Sequence, residues 1–190
     1  MSPYALAYPT FIIIAAGTLF GVFLRGAAHK FSDFSWFAYS VAEYRMLPTA
    51  LAVPMAGLLL ASEVAVTLGL VLPQTRTIAA LGAAILLGIY GIAIAVNLLR
   101  GRDRIDCGCG GAGNGLSWFQ VWRNAALAGF ALVAAQSPSA VAIGPTDWIV
   151  ALAAITAFCL VLVGAEKLAE NWSYLTAADE IARQHEAEIH

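Results

Sequence analysis

The stretch TIAALGAAILLGIYGIAIAVNLL, residues 77–99, carries no charged side chain over 23 residues. As an α-helix it would reach about 34 Å, enough to cross a hydrocarbon core about 30 Å thick. A barrel strand would show alternation of apolar and polar residues, and this run is continuous. Lipid offers the backbone no hydrogen bonds, so a run of this kind closes its own as a helix. Working outward, runs of similar length and character occupy Tyr8–Ala27, Thr49–Leu72, Ser117–Gln136 and Asp147–Ala165. The expected fold class is therefore all-α, a polytopic membrane helix bundle of about five transmembrane helices.

Composition agrees with this reading. Of 190 residues, 61% are hydrophobic and 12% charged, against roughly 25% charged in an ordinary soluble domain. The net charge of −2, with no long basic run and no zinc-finger spacing, gives no sign of nucleic acid as a partner. Met1-Ser2-Pro3-Tyr4 lacks a positive leader region, so the first apolar run is read as a retained helix.

The connections are short. Leu72-Pro73-Gln74-Thr75-Arg76 predicts a tight turn, and Pro138 with Gly144-Pro145 breaks the chain before the last span. Short loops make sequence neighbours antiparallel. One bundle domain is expected over residues 1–165, followed by a polar tail, 166–190. In that tail Thr176 and Asp179 are spaced as a capping box for a short closing helix, Ala177–Ile189. Gly82, Gly88 and Gly91 offer close helix contact. Residues 32–46 are too polar to span. Phe31, Phe34, Ala38, Val41 and Arg45 recur at helical spacing, Trp36, Tyr39 and Tyr44 add amphipathic rings, and Ser32 is placed to cap. This predicts an interfacial amphipathic helix on the same membrane side as the loop 100–116.

That loop carries Asp106-Cys107-Gly108-Cys109-Gly110-Gly111. A disulfide needs Cα atoms within about 4.4–6.8 Å, near the limit for residues two apart in an extended chain. Gly108 lets the chain bend. A ring this small would be reducible and would close almost no loop, which suits thiol exchange better than a structural role. Arg100, Arg102 and Arg104 favour thiolate, while Asp103 and Asp106 oppose it. Reduced, inert thiols are the plain alternative. Two thiolates are half a zinc site and His29 is the one extra ligand on that side, so no metal is expected. Cys159 reads as a small buried hydrophobe in the last span.

Glu63 lies inside the second span, about 20 Å from Thr49 along a helix. A charged carboxyl at depth costs about 2–3 kcal/mol or more. It should face the bundle, either handling protons or facing a quinone, or simply joining helices. Arg123, in the first turns of the fourth span, should snorkel to the cysteine face and is placed to support a thiolate.

These residues together resemble the MauE/DoxX-like redox-associated membrane proteins. The resemblance runs through Gly26-Ala27-Ala28-His29-Lys30-Phe31, Tyr44-Arg45-Met46-Leu47-Pro48, Glu63, Asp106-Cys107-Gly108-Cys109, Leu116-Ser117-Trp118 and Arg123-Asn124. It covers most of residues 10–135 and departs at Gly110, where relatives often carry an aromatic. It implies a role in maturing the small (beta) subunit of methylamine dehydrogenase, together with the thioredoxin-like protein MauD. Cys107 and Cys109 would be the exchanging pair, supported by Glu63, Arg123, Lys30 and Asp106. A similarity in helix plan to the vitamin K epoxide reductase-like disulfide generators implies a membrane quinone as candidate cofactor. The alternative is a non-catalytic membrane platform that recruits and stabilises MauD.

Two rules disagree on sidedness. Arg25, Lys30, Arg45, Arg100, Arg102, Arg104 and Lys167 fall on the cysteine face and Arg76 on the other. By the positive-inside rule the cysteine loop would be cytoplasmic. The implied function wants it periplasmic. The expectation adopted is a multi-pass protein of the bacterial inner membrane with a periplasmic redox loop.

Overall fold

The computed structural model describes residues 4–102, 105, 115–136 and 144–189. Among them the secondary structure is all helical: α1 (Tyr4–Ser32), α2 (Phe34–Glu43), α3 (Ala52–Val71, entered through a 3-10 turn at Thr49–Leu51), α4 (Arg76–Leu99), α5 (Trp118–Ala134) and α6 (Pro145–Ile189). Among the described residues four stretches are long and apolar enough to cross a membrane: Pro9–Ser32, Thr49–Val71, Arg76–Leu99 and Pro145–Ala169. Helix α5, with 17 residues, reaches about 26 Å and is the short member of the bundle.

Helices α3 and α4 form the hairpin expected from the Pro-Gln-Thr turn. Thr75 and Arg76 donate their N–H groups to the Leu72 carbonyl, and the Thr75 hydroxyl donates to Gly69 O at 2.9 Å. Helix α5 packs antiparallel on α4, with Leu127, Ala131 and Ala134 buried in one core with Ala80, Ala83, Leu86 and Leu87. Leu19 and Phe23 of α1 join the same core beside Val66 and Leu70 of α3. Helix α6 lies along α1 with the same polarity. Gly17 faces Ile155, Gly21 faces Cys159 and Arg25 pairs with Glu166.

Small residues set these distances. A Cβ added at Gly69 would stand 2.7 Å from the Ala79 Cβ, and one at Gly82 would stand 3.2 Å from Val66. Gly91 meets Asn124 at ordinary contact distance, and Gly88 has open space. Of the three glycines expected to permit close contact, Gly82 alone is tightly placed.

Several local expectations are corrected. Helix α1 runs past Ala27 to Ser32, which carries Lys30 into the fold and leaves His29 exposed beside it. Asp33, not Ser32, caps α2: its Oδ1 accepts from the Trp36 N–H at 2.9 Å, while the Ser32 hydroxyl donates back to Ala28 O. A carboxylate suits the positive end of a helix better than a hydroxyl already engaged in the preceding turn. The separate closing helix Ala177–Ile189 does not exist. Helix α6 is continuous over 45 residues, because no Gly or Pro follows Gly164 to interrupt it.

Candidate functional site: a buried charge cluster beneath the cysteine loop

Asp106, Cys107 and Cys109 lie outside the described residues. The ends of their loop do not. Helix α4 stops in a Schellman arrangement, with Gly101 at φ 70° and its N–H bonded to Leu98 O, and the Arg102 N–H bonded to Asn97 O. Gly101 is the residue that can take this left-handed turn at no steric cost. Ile105 and Leu116 are then both buried against Ile94, with Tyr44, Leu98 and Val121 around them. Both feet of the loop are thus seated on the bundle beside the end of α2. On the far side Ser117 starts α5, and its N–H donates to the Gln120 side chain at 2.9 Å.

Beneath this lies a cluster that joins two sequence-predicted residues. Lys30 Nζ and Glu63 Oε1 form an ion pair with both side chains 3% exposed. The Tyr90 hydroxyl donates to the same carboxylate oxygen at 2.6 Å. The ammonium also stands 5.0 Å from the Phe37 ring centroid and 4.9 Å from that of Tyr90, within cation–π range. Lys30 occupies the last turn of α1, where the helix dipole favours a cation. Glu63 therefore does face the bundle, and its charge is met there.

Arg123 does not reach outward alone. It pairs with Glu166 Oε1 and bonds Asn124 Oδ1 at 3.2 Å, while Arg25 pairs with Glu166 Oε2 at 2.8 Å. Glu166 thereby ties α6 to both α1 and α5. The two clusters line one cavity of about 90 Å³, together with Phe23, Leu87, Tyr90, Asn124 and Cys159. Cys159 is half-buried on that wall rather than enclosed by apolar neighbours. Tyr90 also borders a larger, mainly apolar groove of about 500 Å³ between α2, α3 and α4.

Sequence reasoning named Lys30, Glu63 and Arg123 but missed Tyr90, Asn124, Arg25 and Glu166 as members of the site. The signal for Tyr90 and Asn124 was present: each places polar atoms inside an apolar run, where they must find partners. Glu166 was read as the start of the tail.

Comparison with known proteins bears on what these residues belong to. Residues 8–137 match the family model described as methylamine utilisation protein MauE. The chain belongs to the MauE family. It is 42% identical over 132 residues to the methylamine utilization protein MauE of Methylorubrum extorquens, covering 67% of this chain and 70% of that protein. It is 35% identical over 150 residues to MauE of Paracoccus denitrificans, covering 77% and 81%. No solved structure gives a significant match. Membership of the MauE family implies involvement in methylamine utilisation. The matched region takes in Lys30, Glu63, Tyr90, the cysteine loop and Arg123; Glu166 falls beyond it.

Proposed function

We propose that this chain helps to mature the small subunit of methylamine dehydrogenase, by thiol–disulfide exchange between Cys107/Cys109 and a thioredoxin-like partner of the MauD kind. The observation that supports this reading is the seating of both loop feet, Ile105 and Leu116, on Ile94. A labile cysteine pair presented from a fixed point at one end of a membrane bundle suits exchange with a docked partner. In the exchange a thiolate of one pair attacks the disulfide of the other. One S–S bond breaks as a mixed disulfide forms, and the second thiolate then displaces it. Two electrons pass one way and the disulfide passes the other.

A membrane quinone is the candidate group to take electrons from such a centre. The groove between α2, α3 and α4 supports this by its character: its apolar walls, including Met55, Leu58 and Leu59, would hold an isoprenoid chain, and Tyr90 lies on its border. When bound, a quinone accepts two electrons and two protons.

The reading also places the loop in the periplasm of the inner membrane. Lys30 and Arg25, two of the cations that argue for the cytoplasm, have carboxylate partners within the chain, the first buried and the second at the bundle surface, which weakens that count.

The experiment is replacement of Cys107 or Cys109 by serine in a methylamine-grown host. Each change should abolish assembly of active small subunit while the membrane protein is still made. Normal assembly with both variants sinks the redox reading. Retained capture of the MauD-type partner together with normal assembly supports the platform reading instead.

A further inference from the structure

Polar atoms with no partner among the described residues line the cavity near the cysteine-loop end of the bundle. Glu63 Oε2 and Asn124 Nδ2 are both buried and make no hydrogen bond to any described residue. Their residues are 3% and 1% exposed and both line the cavity. Lys30 and Tyr90 both address Oε1, so one oxygen of Glu63 has two donors and the other has none. An acceptor on α3 and a donor on α5, both on the wall of one cavity and each costing about 1–3 kcal/mol if unmet, call for an occupant that both donates and accepts. Water meets that requirement, and about 90 Å³ holds several molecules.

Exposure rises in order across the cavity wall. It is 3% at Lys30 and Glu63, 14% at Arg123, 20% at Glu166 and 50% at Arg25. Glu166 comes three residues before the end of the last span at Ala169, and Arg123 five residues after α5 begins. The open end is therefore near the cysteine-loop surface of the bundle. A guanidinium there keeps water with it. The titratable groups facing the cavity are Arg25 and Lys30 from α1, Glu63 from α3, Tyr90 from α4, Arg123 from α5, and Cys159 and Glu166 from α6.

We propose that this cavity is a hydrated proton port. Water entering at Arg25 reaches Glu63 Oε2, which takes a proton from the solution on the cysteine-loop side and returns it there. In the step a cavity water gives its proton to Oε2, and the hydroxide left behind is neutralised by a proton relayed from the mouth. Glu63 becomes a neutral acid that keeps its bonds to Lys30 and Tyr90. The port stands whether or not the cysteines exchange thiols.

Cys159 supplies a native reporter, because methanethiosulfonates attack thiolate, which forms only where water reaches sulfur. The full chain with Cys107→Ser and Cys109→Ser, in liposomes, is treated with the water-soluble sulfonatoethyl methanethiosulfonate. Cys159 should react about tenfold or more faster than a cysteine placed on the lipid face of α6 by V161C in a C159S background. In the same preparation, infrared spectra should show a protonated-carboxyl band that grows on acidification, shifts in deuterium oxide, moves in frequency in Glu63→Asp and disappears in Glu63→Gln. Reaction no faster than at position 161 overturns the port. A Glu63 carboxylate that never protonates overturns it equally, even with Cys159 labelled.

Discussion

At the scale of single residues, the decisive event is the meeting of Lys30 and Glu63. Two charges withdrawn from water are tolerable only as a pair with their remaining hydrogen bonds met, and Tyr90 supplies one of those. Removing one member leaves the other uncompensated. Lys30→Met or Glu63→Leu should each cost about 3–5 kcal/mol, read as thermal unfolding in detergent. Combining the two should recover most of that loss. Tyr90→Phe should cost less, about 1.5–3 kcal/mol for a hydrogen bond to a charged group. A double variant no better than either single change would show that the two residues do not act as a pair. The sequence displayed both ends of this contact without joining them. In the sequence the apolar run stops at Ala27, which leaves Lys30 outside the span. Helix α1 continues to Ser32 because Ala28 and Lys30 are good helix formers and because α2 covers that end through Phe37. A contact across 33 residues depends on how helices are placed, and periodicity does not carry that.

Helices as elements were far more legible. Long apolar runs bounded by Pro, Gly and charge located every span to within a few residues, since chain length and backbone satisfaction in lipid leave few alternatives. Helix spacing is a subtler matter. Gly82, Gly88 and Gly91 look alike in sequence, yet their surroundings differ by the side chain opposite. The tightest backbone-borne contact is at Gly69, where the obstacle is the Cβ of Ala79, an atom that cannot rotate away. Gly69→Val should therefore force α3 and α4 apart and lower stability by about 1–3 kcal/mol. Gly88→Ala, with open space beside it, should be neutral or slightly stabilising through helix propensity. Equal unfolding temperatures for the two variants would contradict this packing.

For the whole molecule, the bundle stacks its functions in layers. Ile105 and Leu116, which flank the cysteine segment, seat at one end, the charge cluster lies one level in, and a tightly packed apolar core of Ala and Leu fills the level beyond. The upper layer was readable as a motif and the lower as a hydrophobic pattern. The middle layer draws one or two residues from each of five helices, so no local spacing announces it. The proposed role assigns the upper layer to the periplasm. A membrane-impermeant maleimide applied to reduced, intact cells should then label Cys107 or Cys109 without lysis. Labelling that requires lysis would put the loop in the cytoplasm.

Helix α6 also has a mechanical meaning. Glu166 is its twenty-second residue, fastened to Arg25 and Arg123, and 23 of its 45 residues follow. That remainder is an arm of about 35 Å. Pivoting at the clasp, a tilt of about 5° would carry its tip about 3 Å. Anything that grips the far end acts with leverage on the carboxylate that stands at the mouth of the cavity.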